Sequence, residues 1–440
     1  MQTYFYELAD FIGTQLHANE TYLASLSGED SNFVRFNKSA VRQAGSVKQM
    51  VLNLSLIASQ RRADSCMTLC GISEQDRPLV TAALETLRRD LGDLPIDPYL
   101  LFNQTPQSSE RIGVSALPSD ETLLDQVLQE ASGKDLVGIS ASGAIYRGFA
   151  NSLGQRNWHR ADNFNLEWCL YHAGDKAVKN SYAGTHWDAQ EFRHKMAQSR
   201  EQLAILQRPS KKLDPGQYRA YLAPSAVSEI VSLLAWESFG AKAQRTKQSP
   251  LLKLEDGSAA LHAGVTLNEN SREGVAPGFQ SDGFIKAPVV NLIAAGKHAG
   301  ALVSPRSARE FGIETNGANA GEAPEALDMA GGSLHRDDVL RTLGTGLYIG
   351  NLWYLNYSDR MACRMTGMTR FATFWVENGE IKAPLDVRRF DDSAYRVLGE
   401  NLVALTAERD WILDSGSYSE RSTGSARLPG ALVKDFALTL

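Results

Sequence analysis

Between Ser31 and Cys70 the residues alternate by twos. Phe33, Arg35 and Asn37, and then Val47, Gln49, Val51, Asn53 and Ser55, alternate with residues of the other character. That period is the mark of strands buried on one face. It rules out a purely helical fold, and no internal repeat at a solenoid period offers another route to order. Gly45-Ser46 is the expected hairpin turn inside this run. Helical spacing brackets it on both sides. Leu8, Phe11, Ile12 and Leu16 predict an N-terminal helix. Ser73 to Asp90 predicts another, with Ser73 as cap, Asp76 three residues on, and an apolar stripe of Leu79, Ala82, Ala83 and Leu87. A proline-bearing loop from Gly92 to Gln107 leads to a third expected helix, Asp120 to Ala131.

From Asp135 to Gly184 the pattern returns to strand, expected as short pieces punctuated by glycine. Asp188 to Gln207 is charged and helical in period. It runs into RPSKKLDPG at 208–216, read as a solvated linker and domain boundary. The expected units are therefore an N-terminal domain over 1–210 and a C-terminal domain over 217–440. The second half opens with a strand-like YRAYLAPS and an amphipathic helix, Ala226 to Phe239. It then carries short apolar runs separated by glycine, such as PVVNLIAAGK and TGLYIGNLWYLNY. The expected fold class is α+β: an N-terminal α/β domain of antiparallel strands and helices, followed by a β-dominated C-terminal domain.

The length of 440 residues allows two or three such domains at roughly 150 residues each. Forty-five basic against 51 acidic side chains leave a net charge of −6. So mild a negative balance argues against nucleic acid or an anionic membrane as partner. No window holds the roughly 18 apolar residues of a membrane span, and the acidic N-terminus lacks the basic region of a secretory signal. Four cysteines make no disulfide framework, and Cys66 and Cys70 sit in a strand-like stretch unsuited to a zinc knuckle. The expected compartment is the cytoplasm.

No motif identifies an active site. The eight histidines include no HExxH or HExxxH, and the nearest helical pair is Glu191 with His194. GISASG at 138–143 is not a nucleophile elbow, and GTGLYIG at 344–350 lacks the dinucleotide spacing and precedes a strand. The block LYIGNLWYLNYSDRMACRMTGMTRFATFWVENGE, from Leu347 to Glu380, stands out instead. It sets Arg360, Arg364 and Arg370 among strands rich in Trp and Tyr. Such a block is either a sheet with a polar face or a groove in which arginines and open strand edges grip an extended peptide.

This block, with LGTGLYI before it and ENGEIKAP across its end, resembles the C-terminal signature of the TldD/PmbA family, the peptide-maturation proteins also called modulators of DNA gyrase. YRGFANSLGQRNWH at 146–159, APGFQSDGF with NLIAAGKHAGALVSPRSAREFG, and ETNGANAG at 314–321 resemble further stretches of the family. The resemblance spans most of the chain, in recognisable motifs from about residue 130 onward, and rests on their order and spacing.

The family has two kinds of member. In the TldD kind, a helix opening the C-terminal domain carries HExxxH, whose histidines bind zinc and whose glutamate acts as base. The matching helix here is SAVSEIVSLLAWESFGAKAQRTKQS. Aligned on Arg245 and Ser249, its ligand positions fall on apolar or small residues around Leu233 to Ser238, and Glu237 alone cannot replace two histidines. A cysteine expected near the C-terminus of the TldD kind is also missing from DSGSYSERSTGSARLPG. The chain therefore resembles the PmbA, or TldE-like, kind. That resemblance implies a subunit with no catalytic residue, no metal ligand and no cofactor of its own. Zinc would lie in a TldD-like HExxxH partner, and the two chains, or two copies of this one, would enclose a chamber for unfolded peptides. Independent peptidase activity is in doubt. The residues expected to bind peptide are Arg360, Arg364 and Arg370, with Asn151 and Ser152 shaping a turn beside the cleft. The rival expectation is a stand-alone binding or regulatory scaffold.

Overall fold

The computed structural model describes residues 1–173, 176–417 and 419–439. Helix α1 (Gln2–Thr14) buries Phe5, Leu8, Ala9 and Ile12, the face that its three-and-four spacing dictates. Strands β1 (Thr21–Asn37), β2 (Ala40–Ala58) and β3 (Arg61–Leu69) follow as a meander, then helix α2 (Ser73–Asp93). The short β4 (Ser109–Ile112) and helix α3 (Asp120–Ala131) lead to β5 (Asp135–Asn151), β6 (Arg156–Ala173) and β7 (Lys176–Gly184), and α4 (Ala189–Leu206) ends this half. These strands form one seven-stranded sheet in the order β3-β2-β1-β5-β6-β4, with β7 also pairing β6. All its pairings are antiparallel except β4 with β6.

Four local expectations are corrected. Gly45 and Ser46 lie inside the ladder, opposite Phe33 and Asn32. The β1–β2 turn instead falls at Lys38 and Ser39, with φ of 52° and 53°; two successive left-handed residues match the twist of the flanking strands. Ser73 is not the cap of α2. Asp76 accepts the backbone N–H groups of Cys70, Gly71 and Ile72 and so fixes how the helix starts. The buried face of α2 is accordingly Val80, Leu84, Leu87 and Leu91, while Leu79 is 51% exposed. Finally, the strands from Asp135 onward are long, 17 residues in β5 and 18 in β6. Their glycines mark close approaches rather than strand ends: a Cβ on Gly143 would stand 2.2 Å from the Asp30 carbonyl oxygen of β1.

The segment 208–216 is mostly exposed, as expected of a solvated linker, and is tied to the second half at a few points. Arg208 donates to the carbonyls of Ile381 and Lys382, the Lys211 N–H donates to Pro384, and the Lys211 ammonium sits over the Trp375 ring.

The second half holds β8 (Gly216–Leu222), helix α5 (Pro224–Ala235), β9 (Leu267–Glu269), β10 (Val290–Ala294), β11 (Lys297–His298) and β12 (Ala326–Met329). It continues with β13 (Gly346–Asp359), β14 (Arg364–Glu377), β15 (Glu380–Pro384), β16 (Arg389–Ser393), β17 (Leu402–Leu413) and β18 (Ser425–Leu438), with short helices in the connections. These strands form an eleven-stranded mixed sheet. Pairing of β18 with both β16 and β8 closes β18-β16-β14-β13-β8 into a ring. The α+β expectation holds: an antiparallel N-terminal unit precedes a larger, β-dominated mixed-sheet one.

Helix α5 begins with Pro224, whose missing N–H suits the first helical turn. It buries Ala226, Val227, Ile230, Val231, Leu233 and Leu234 and ends at Ala235, four residues before the expected end. One apolar cluster joins the two halves, packing Phe164, Trp168 and Phe192 with Tyr221, Tyr348, Phe374 and Leu432. No helix among the described residues is long and apolar enough to cross a membrane.

Candidate functional site

Helix α5 carries a stripe of small and polar residues beside its buried aliphatic face. Ser225, Ser228, Glu229, Ser232 and Ala235 recur at i, i+3, i+4, i+7 and i+10. That stripe lines a cleft of about 500 Å³. The facing walls come from β6 and β7 (Asn165, Glu167, Lys179, Asn180, Ser181), from Asn351 of β13, and from the ends of β17 and β18 with the residues beside them (Leu413, Asp414, Ser415, Gly424, Ser425). The cleft therefore lies where the N-terminal sheet meets the C-terminal domain.

Its charges are unevenly partnered. Lys179 pairs with Glu167 at 2.8 Å, and Glu325 pairs with Lys286 at 2.5 Å. Glu229 and Asp414 have no ion-pair partner among the described residues. Glu229 is exposed at the cleft surface; the flanking protein walls still push its carboxyl pKa up, and the nearby Lys179 offsets this in part. Asp414 accepts the Gly416 N–H at 2.8 Å, closing a small turn.

The segment after β17 is pinned to the N-terminal sheet. Arg421, 5% exposed, donates to the Ser31 hydroxyl and to the carbonyls of Gly143 and Asn163, and also to the Asn163 side chain. Burial without a contacting carboxylate lowers its pKa to about 10, opposed by the field of Glu29. Gln49 donates to the Ser419 carbonyl, and Arg147 pairs with Glu420 at 3.4 Å.

The residues expected to bind peptide are not brought to one place. Arg360 is held by Glu237 at 2.7 Å and by the Gln248 carbonyl. Arg364 is paired with Asp391. The Arg370 guanidinium makes no hydrogen bond among the described residues; it stacks over Trp353 at 4.7 Å and Phe371 at 5.1 Å. It sits opposite Asn351 in the β13–β14 ladder, and Asn351 donates to the Lys179 carbonyl and lines the cleft. Arg370 thus stands one ladder position from the cleft, beside Trp353 and Tyr354, which are 46% and 74% exposed. Asn151 and Ser152 form the β5–β6 turn. The Asn151 carboxamide oxygen accepts from the N–H groups of Leu153 and Gln155, and the Ser152 hydroxyl accepts from Tyr22 N–H. Neither residue lines the cleft.

Sequence reading missed Glu229 and Asp414. A single acidic residue on an amphipathic helix reads as part of a solvated face. The signal is the Ser-Ser-Glu-Ser stripe, whose small side chains leave room for a cleft beside the exposed Glu229.

The donors in the cleft do not suit zinc. Zinc takes imidazole, thiolate and carboxylate ligands, whereas α5 offers it three serines and one carboxylate, and the stretch from Leu233 to Ser238 leaves the helix at Ala235. No three His, Cys, Asp or Glu side chains converge among the described residues. Glu191 of the helical pair Glu191–His194 is salt-bridged to Arg336 at 2.6 Å, and His194 is exposed.

A mixed ring-closed sheet, an antiparallel N-terminal sheet and a serine-lined helix between them define a class of protein. The family model described as the PmbA/TldA metallopeptidase C-terminal domain matches residues 215–440, just over half of the chain. The chain belongs to the TldD/PmbA family. It is similar in fold to TldE from Thermococcus kodakarensis, at 13% identity and a TM-score of 0.79 over 99% of this chain and 100% of that one. A proposed modulator of a DNA gyrase from Thermotoga maritima gives 14% identity and 0.76 over 99% and 100%. Another, from Bacteroides thetaiotaomicron, gives 13% and 0.71 over 99% and 98%. No curated protein matches the sequence.

Proposed function

We propose that this chain is the subunit of a TldD/PmbA-type peptidase complex that holds peptide without holding the metal. One observation carries this reading. The cleft is built from α5 and from the segment after β17. The first resembles the metal-bearing helix of zinc-bearing members, though the cleft is lined mostly by residues N-terminal to the matching Leu233–Ser238 positions; the second is where those members carry a cysteine. Here both present serine and carboxylate groups instead. The space stays open while the metal donors are gone, so what remains is a binding site.

In this reading an extended peptide lies along the serine stripe of α5. Hydroxyls of Ser228 and Ser232 and the amides of Asn165 and Asn351 supply sequence-tolerant hydrogen bonds. The exposed Trp353 and Tyr354, with Arg370 stacked beside them, form a shelf at the mouth where apolar side chains and peptide carbonyls are met together. Hydrolysis belongs to zinc in an HExxxH partner, and the compartment is the cytoplasm.

The test is reconstitution. Peptide hydrolysis is measured with this chain alone, with an HExxxH homologue alone, and with both. Turnover only in the mixture, weakened several-fold by Arg370→Ala without loss of assembly, is the expected result. Equal turnover by the homologue alone would leave this chain a scaffold and defeat the proposal.

A further inference from the structure

We propose that the cleft has an inner pocket that takes a side-chain carboxamide of the peptide, that of glutamine or asparagine, and that the hydroxyls of Tyr221 and Tyr348 recognise it. This rests on the peptide-binding reading above and names the substrate class for it.

Behind the cleft lies a smaller cavity of about 80 Å³. Lys179, Asn180 and Ser225 line both spaces, so the cavity continues the cleft inward, between α4 and the C-terminal sheet. Small residues make the room. Ala223, Gly350 and Ala372 stand in its wall. Gly430 leaves space for the Tyr221 hydroxyl, since a Cβ there would stand 2.3 Å from that oxygen. A space of this size holds a few waters or one short side chain.

The charged groups of the cavity are already satisfied. Lys195 pairs with Asp410 and Arg336 with Glu191, both at 2.6 Å. Glu408 accepts the Arg336 backbone N–H at 2.9 Å, and Lys179 keeps to Glu167. Two neutral groups are not satisfied. Tyr221 and Tyr348 are only 6% and 8% exposed, and both line the cavity, their ring centroids 5.4 Å apart. The Tyr221 hydroxyl has no hydrogen-bond partner among the described residues. The Tyr348 hydroxyl accepts from Gln198 at 3.5 Å and from Gln202, but its own proton meets no acceptor among them. Burial raises the pKa of both phenols, so both remain O–H donors. Whatever fills the cavity must accept from them.

A carboxamide meets that demand. Its oxygen accepts two hydrogen bonds, and its N–H groups are donors for the carboxylates of Asp410 and Glu408 in the same wall. An apolar side chain of the same length leaves both hydroxyls unmet. A carboxylate or an ammonium loses its hydration in a wall whose charges are already paired, with no free partner to replace it.

The experiment measures, by anisotropy, binding of three fluorescent peptides to the full-length chain. They are identical except for one central residue: glutamine, glutamate or norleucine. The glutamine peptide is expected to bind about tenfold more tightly than either of the others. Tyr221→Phe and Tyr348→Phe each remove one hydroxyl and should bring the glutamine and norleucine peptides to within about twofold of each other. Norleucine-peptide affinity should hold at or above its wild-type level, which also shows that the variants fold. The ranking of the three peptides on the unaltered chain is decisive even where a variant does not fold. Equal affinity for all three would overturn carboxamide selection, leave the cavity to water, and leave peptide binding standing. Tightest binding of the glutamate peptide, or a glutamine preference that survives both substitutions, would also overturn the inference. No binding of any peptide would overturn the peptide-binding reading itself.

Discussion

Lys195 of α4 reaches Asp410 of β17 at 2.6 Å, an ion pair between the two halves of the molecule. The Lys195 side chain is 9% exposed, and the Asp410 side chain 25%. Arg336 stands second in line, 3.9 Å from the same carboxylate. Removing Lys195 therefore leaves Asp410 with a substitute, whereas removing Asp410 strands a buried ammonium. Lys195→Met should cost about 1–2 kcal/mol and Asp410→Asn about 3. Urea denaturation of both variants checks the order, and equal losses would contradict it.

His159 links pH to stability. It is 1% exposed; its Nδ1 accepts from Arg111, and its Nε2 lies 2.8 Å from the Val275 carbonyl. Burial, with Arg111 as the largest neighbouring charge, lowers its pKa from 6.5 to about 4. Between those values the unfolded chain binds the extra proton, so the stability owed to neutral His159 is complete above pH 6.5 and declines as pH falls toward 4. Its slope is at most about 1.4 kcal/mol per pH unit. The difference between wild type and His159→Gln, measured by denaturation from pH 7 to 4, should narrow by that slope. Parallel curves would show that His159 does not titrate this way.

Arg421 holds the segment that walls the cleft. Arg421→Met leaves the carbonyls of Gly143 and Asn163 and the Asn163 side chain without their donor, at an expected loss of about 2–3 kcal/mol. Hydrogen exchange at residues 419–425 should rise far more than in β1 or β5. A uniform rise would mean that Arg421 serves only global stability.

Gly296 closes the β10–β11 turn with φ of 75°. A Cβ there would stand 2.3 Å from the Leu261 carbonyl oxygen. Gly296→Ala should lower stability by about 2 kcal/mol or more, read as a lower melting midpoint; an unchanged midpoint would show that the backbone yields locally.

Much of the fold is legible in the sequence because amphipathic period is local. Leu8, Phe11 and Ile12 announce α1, and the alternation through Val47 to Ser55 announces β2, whatever packs against them. The turn at Lys38-Ser39 escapes because neither residue advertises a left-handed backbone, while Gly45-Ser46 does and sits in a strand. The face of α2 slips by one residue because Asp76, not Ser73, anchors the helix start, through contacts that depend on the preceding strand. The site is less legible still. Asp414 and Glu229 lie 185 positions apart, and only the packing of β17 beside α5 brings them to one cleft. Arg360 and Arg364 look free in sequence because their partners, Glu237 and Asp391, are 123 and 27 positions away.

The central claim is that this chain holds peptide and leaves zinc to another subunit. The most direct test is the zinc content of the purified full-length chain by elemental mass spectrometry, after dialysis against a weak chelator. Well under one-tenth of a zinc per chain is the predicted result. About one zinc per chain would contradict it and move the chemistry into this subunit.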